Sequence, residues 1–398
     1  MKNNNKINKL GFHKAVVGTP IEVFLLRAMF LSVFLQFSFS FFVRELPETD
    51  MIACLAIYAL AVLMGVWTSI FIFSGEKFKD DKVIFISEKS IVTICFFSLL
   101  PSIPDIVISY ELAMTNVNVR QILLDNPGYR FMPPRVLMLS SALFTASYMY
   151  YLVFVKEKTP AMIAVVGAMV LLNSLVFASR SLFVILLIFY ILNLRNIITL
   201  KNFMYVVLLT GALSAYTTVV QGRSGGEMLS LTIFIENIVY YSTYFAYPLY
   251  LGSMVDIVFG DVSIFYSIFG LPADVIETYF SHGKGELTTH LADIARQSWI
   301  GFDIFGHEHG FANVLYPQYA MLYSSLGMLG VFLFYYAVTI FICYLKAFDN
   351  MFYFARILGF YLIFETARGA ALGTPGMWLV LLGAFSITIY LKMFTRQP

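Results

Sequence analysis

The sequence predicts an all-α polytopic membrane protein with about 10 to 12 transmembrane helices. Three observations carry this. Hydrophobic residues make up 59% of the 398 positions and charged residues only 13%. The mean hydropathy is +0.79, far from the balance of a soluble domain. Apolar stretches of about 20 residues, enough to cross roughly 30 Å of hydrocarbon, recur from one end to the other. A helical bundle follows, because a backbone exposed to lipid must satisfy its own hydrogen bonds.

In order, the expected spans lie near 21–43, 51–73, 91–110, 136–155, 160–178, 181–194, 203–220, 313–345, 351–366 and 376–394. The 181–194 stretch is short and needs its flanks to complete a crossing. The first span carries Arg27 and lacks a small-residue cleavage site, so it reads as a retained signal anchor. Cys54, Cys95 and Cys343 all fall inside spans, and no disulfide framework is implied. The expected domains are an N-terminal transmembrane bundle (1–220), a large outer loop (221–312) and C-terminal transmembrane helices (313–398).

With both termini cytoplasmic, the inner segments hold 16 of the 26 basic residues, which satisfies the positive-inside rule. Lysine and arginine divide differently. All lysines but Lys284 fall inside, whereas eight of twelve arginines fall outside: Arg44, Arg120, Arg130, Arg135, Arg180, Arg223, Arg296 and Arg368. Arginine keeps its charge in poorly hydrated sites and offers a planar fork of donors that suits phosphate oxygens. An anionic ligand on the outer face is the functional expectation; snorkelling to the interface or pairing with acids is the plain alternative. Arg180, in "NSLVFASRSLFVILL", has apolar sequence on both sides and no adjacent acid, and an ionisable group at such depth is functional by default.

The longest cytoplasmic loop, 74–90, has no room for a nucleotide domain and no Walker A, dinucleotide or D-x-D pattern. Group transfer would therefore draw on a donor already in the membrane. No cofactor and no nucleic-acid partner are expected. "HEHG" at 307–310 is not the H-E-x-x-H of zinc proteases, since histidines two apart point to opposite sides of a helix, and no metal is expected.

The outer loop holds four of the five histidines, His282, His290, His307 and His309, and carries 3 basic against 10 acidic residues. A loop of that length is usually functional. Its first part, 231–260, is apolar but contains Glu236, Asn237 and Asp256, which suits a re-entrant pair or an interfacial helix. Its second part, 261–312, is expected to fold as short helices over a cavity and to act as a lid. Gly310 interrupts any preceding element, Asn313 caps the next helix and Pro317 sits in its first turn. Such a helix start favours an anion. "SSLGMLG" (324–330) and the Gly369/Gly373 pair are expected to allow close helix packing.

Four stretches resemble the Wzy-type polymerases of O-antigen and related polysaccharides: "FASRSLFVILLIFYILNLRN", "VVQGRSGGE", "GFANVLYPQYAMLYSSLGMLGVF" and "FETARGAALGTPGMWLV". Their order and spacing cover about 180–390; the first 170 residues match in hydropathy alone. The resemblance implies a GT-C-like glycosyltransferase in the bacterial inner membrane. Such enzymes join oligosaccharide repeat units on undecaprenyl diphosphate at the periplasmic face, alongside a chain-length regulator and a flippase. The growing chain passes to the non-reducing-end hydroxyl of the incoming lipid-linked unit.

On that reading, Arg180, Arg223 and Arg368 hold the diphosphate, with Arg120, Arg130, Arg135 and Arg296 as further substrate-binding candidates. The base for the attacking hydroxyl is His309, His307, Glu308 or Asp303. Asn313 orients a sugar hydroxyl or only caps its helix. An O-antigen ligase, sharing fold and donor, and a flippase or transporter remain as competing readings. Against a transporter stand the long loop, the lack of an internal repeat, and histidines gathered on one side.

Overall fold

A computed structural model describes residues 20–40, 47–73, 87–115, 126–155, 158–176, 181–193, 264–273, 300–304, 307–312, 316–346, 351–369 and 374–394, with isolated positions between them. These residues form two compact units interleaved along the chain. One draws on 81–239 and 379–398, the other on 21–80 and 240–378.

The first unit contains α3 (Glu88–Leu99), α4 (Ile103–Met114), α5 (Pro134–Phe154), α6 (Pro160–Val176), α7 (Ser181–Asn193) and most of α12 (Pro375–Phe394). Between α3 and α4 lies a single 3-10 turn, Leu100–Ser102. Pro101 and Pro104 cause it, because each lacks an N–H and crowds the carbonyl four residues back. Serines answer the break: the Ser102 and Ser140 hydroxyls lie 2.7 Å apart, and Ser140 donates to the carbonyl of Ser98. Helix α12 docks on α5 where Tyr150 donates to the Ala384 carbonyl at 3.1 Å. A Cβ built on Gly383 would come within 3.0 Å of Leu143.

The second unit contains α1 (Ile21–Ser40), α2 (Thr49–Phe73), α8 (Ile264–Phe269), α9 (Gln318–Leu345), α10 (Met351–Gly359) and α11 (Thr366–Arg368). A π-helical turn, Phe360–Glu365, joins α10 to α11. Helices α2 and α9 pack along their length. They come close at Gly65, where a Cβ would stand 2.7 Å from Thr339 Cβ and 3.1 Å from the Tyr336 carbonyl.

The described fold is helical apart from one hairpin, and five helices are long and apolar enough to cross a membrane: Ile21–Ser38, Thr49–Phe73, Glu88–Met114, Pro134–Phe154 and Gln318–Leu345. Their surfaces agree. Phe30, Trp67, Phe71 and Leu329 are all more than half exposed, while Gln36, Ser69, Asn173 and Thr366 are buried. That is the inverse of a soluble surface and suits hydrocarbon outside the bundle. The span expected near 203–220 and most of 231–260 lie outside the described residues.

Four expectations are corrected. Helix α9 starts at Gln318 rather than Asn313, because Pro317 takes the cap position with extended backbone and also steers Tyr316 away from helix. Residues 300–312 form no helix but a two-stranded antiparallel hairpin, β1 (Ile300–Ile304) and β2 (His307–Ala312). Gly310 lies within β2, where the register slips between the Ile300–Ala312 and Phe302–His309 pairs, so that Gly301 faces Gly310 and Phe311. In "SSLGMLG", Gly327 adopts φ 66° and ψ −169° and kinks α9, with nothing within 4 Å of a built Cβ; the close helix packing expected there is supplied by Gly65. Arg356, counted with a cytoplasmic loop in the charge tally, is fully buried in α10.

Candidate functional site

The π turn leaves carbonyls out of the helical ladder, and in a membrane bundle each needs another donor. One side chain serves a carbonyl of the turn itself, and two more hold the residues that follow it. Tyr58 of α2 donates to the Ile363 carbonyl at 2.9 Å, and Gln36 of α1 donates to the Ala367 carbonyl at 3.2 Å. The Tyr335 hydroxyl of α9 lies 3.2 Å from Thr366 Oγ1. Gln36 is fixed in turn by Tyr319, whose hydroxyl donates to its Oε1 at 3.0 Å. Tyr58 and Tyr335 meet edge to face with centroids 4.6 Å apart. An irregular segment is thereby held rigidly by helices α1, α2 and α9.

Arg368 ends that segment. Its Nη2 donates to Glu365 Oε2 at 2.7 Å, its guanidinium carbon lies 5.7 Å from the Phe245 ring centroid, and its side chain remains 26% accessible. Glu365 is 6% exposed and its Oε1 has no partner among the described residues. The pair stands at the same end of the unit as Tyr319 and Gln36. Lys346, bound to Glu22 at 3.0 Å, follows the far end of α9. The Lys346–Glu22 and Arg368–Glu365 pairs thus stand at opposite ends of these helices.

At the Arg368 end, α8 is seated on the first turn of α9. Gln318 donates through Nε2 to the Ser267 carbonyl, and Ser267 donates to the Met321 carbonyl at 3.1 Å. Gln318 is 1% exposed and its Oε1 also has no partner among the described residues. One short helix of the large loop is therefore anchored on the bundle.

Of the arginines singled out from sequence, Arg130 and Arg135 belong to the first unit. Arg130 Nη1 donates to the Val176 carbonyl at 3.1 Å, answering an orphan carbonyl at the end of α6. Burial lowers its proton affinity from the ordinary value, and the Asp105 carboxylate acts in the opposite sense. Asp105 is 2% exposed and accepts the amides of Phe131 and Met132 at 3.1 and 3.0 Å, tying the turn before α5 to α4. Arg135 is exposed in the first turn of α5, where the helix dipole disfavours a cation, so helix stability does not account for it.

Arg120, Arg180, Arg223, Arg296 and Asn313 lie outside the described residues. The candidate bases all fall on the hairpin. Its backbone register pairs Asp303 with Glu308, Phe302 with His309 and Ile304 with His307. Sequence reasoning passed over Gln36, Asp105 and Glu365. A signal existed for the last: an acid three residues before an arginine in an apolar helix faces it across one turn. Comparison of the chain with family models, with curated proteins and with solved structures finds no match in any of the three.

Proposed function

We propose that the chain is a GT-C-like membrane glycosyltransferase of about 10 to 12 spans that polymerises undecaprenyl-diphosphate-linked oligosaccharide units. It would lie in the bacterial inner membrane with both termini cytoplasmic and work at the periplasmic face, with a chain-length regulator and a flippase as partners. The observation that carries this reading is Arg368. A guanidinium braced by a carboxylate on one edge and by an aromatic ring, yet still accessible, ends a rigidly held membrane helix. Such a group is preorganised for an anion, and a diphosphate leaving group is the anion that the resemblance implies.

In this reading Arg368 carries charge that develops on the diphosphate oxygen as the anomeric bond breaks. Arg180 and Arg223 are its intended companions, with Arg120, Arg130, Arg135 and Arg296 in reserve. Arg130 already serves the end of α6, which makes it the weaker ligand of that group. The proton of the attacking hydroxyl goes to one of the hairpin residues Asp303, His307, Glu308 and His309 or to a carboxylate of the bundle.

The test is the purified chain in liposomes supplied with a defined undecaprenyl-diphosphate-linked oligosaccharide. Lengthening of the glycan with release of undecaprenyl diphosphate is expected. Transfer that occurs only to lipid A core would make it a ligase, and translocation without a new glycosidic bond would make it a transporter.

A further inference from the structure

Glu365 Oε1 is a buried carboxylate oxygen without a donor among the described residues. A carboxylate accepts up to about four hydrogen bonds, and leaving a buried acceptor without a donor is costly. The shortage is local. The backbone around it at Ile363 and Ala367 is served by Tyr58 and Gln36, and the other carboxylate oxygen takes Arg368 at 2.7 Å. A residue so placed, at the end of a π turn, keeps one acceptor free beside an accessible cation.

We propose that Glu365 is the base that accepts the proton of the attacking sugar hydroxyl, beside the Arg368 guanidinium that holds the diphosphate. This rests on the polymerase reading. The two carboxylate oxygens then divide the work: Oε2 braces the guanidinium that takes the leaving group, and Oε1 is left to take the proton.

The step balances. The hydroxyl oxygen of the incoming unit forms a bond to the anomeric carbon of the growing chain while its proton moves to Oε1. The bond from that carbon to the diphosphate oxygen breaks, and its electron pair stays on the oxygen beside Arg368. Protonated Glu365 then returns its proton to the departing diphosphate or to water. Asp303, His307, Glu308 and His309 are not required for the proton transfer.

The substitution Glu365→Gln separates a base from a brace, because the amide oxygen still accepts from Arg368. In the liposome assay E365Q should lose about a hundredfold or more in kcat with KM within about threefold of wild type. Near-normal kcat in E365Q overturns the proposal, as does a loss confined to KM, which would mark a binding anchor. Should E365Q fail to accumulate in the membrane, E365D decides in its place. Its carboxylate is drawn back by one methylene and should cost tenfold or more in kcat, and an unchanged value overturns the proposal. A wild-type chain that lengthens nothing ends the polymerase reading and the base with it. Equal lengthening by wild type and E365Q removes the base alone.

Discussion

Tyr319 and Gln36 meet through one hydrogen bond, 3.0 Å from hydroxyl to Oε1, and Gln36 passes its own amide to the Ala367 carbonyl at 3.2 Å. The residue next to that carbonyl is Arg368, so the chain of contacts from α9 through α1 ends at the candidate anion-binding group. Gln36→Leu strands both the phenol and the carbonyl, at a cost of about 1 to 3 kcal/mol. Tyr319→Phe removes the phenol hydroxyl, and with it that part of the penalty. Thermal unfolding in detergent should show Q36L with Y319F less destabilised than the sum of the two single changes.

The contact between α2 and α9 depends on the absence of a side chain at Gly65. Gly65→Leu forces atoms into the space held by Thr339 and Tyr336, and overpacking of this kind costs about 1 to 3 kcal/mol. Adding Thr339→Ala should recover part of that loss, since it removes Thr339 Cγ2, 2.9 Å from the new Cβ, although Thr339 Cβ at 2.7 Å stays. The melting temperatures of G65L and of the double variant measure it, and equal values would show that the helices separate rather than repack.

Gly327 and Gly167 both have nothing within 4 Å of a built Cβ, yet alanine should act on them in opposite directions. Gly327 holds φ 66° with ψ −169°, a region open only to glycine, so Gly327→Ala should cost about 1 to 3 kcal/mol or straighten α9. Gly167 lies within α6 with no positive φ, and alanine there gains roughly 1 kcal/mol of helix propensity. A pair of melting curves decides it.

Hydropathy located the helices because lipid imposes length and apolarity on every span, and the helices from α1 to α12 outside the large loop fall where those runs lie. Local rules did worse where backbone and partner compete. Asn313 reads as a cap, but Pro317 four residues later fixes the true start of α9. The histidine stretch carries no helical periodicity, and the hairpin it enters depends on pairing with Ile300–Ile304 rather than on its own composition. The π turn is invisible in "FYLIFE", since the donor that serves its Ile363 carbonyl is Tyr58, hundreds of residues distant in sequence. Arg368 was legible as a charge out of place. For Glu365, its partner, the spacing to Arg368 is legible, but the burial of its second oxygen is a tertiary fact.

Asp105 holds the turn between α4 and α5 by accepting two backbone amides. Asp105→Ala leaves those N–H groups without their acceptor and removes the carboxylate facing Arg130, for a loss of about 1 to 3 kcal/mol. The effect should be local. Hydrogen exchange at Phe131 and Met132 should quicken at least tenfold, while amides within α5 change little. Uniform quickening throughout the first unit would show instead that Asp105 supports the packing of α4 itself.

Arg368 divides the anion-binding reading from a purely structural one. Arg368→Lys keeps a cation within reach of Glu365 but gives up the planar fork and the stacking on Phe245. If the guanidinium only neutralises Glu365, lysine should restore most stability and activity together. If it also grips a diphosphate, R368K should keep its melting temperature within about 2 °C of wild type yet lose tenfold or more in polymerisation rate. Arg368→Ala should lose both, because it strands a carboxylate that is 6% exposed. The double variant R368A/E365Q restores charge balance and should recover stability but not activity. Recovery of both would take Arg368 out of the reaction.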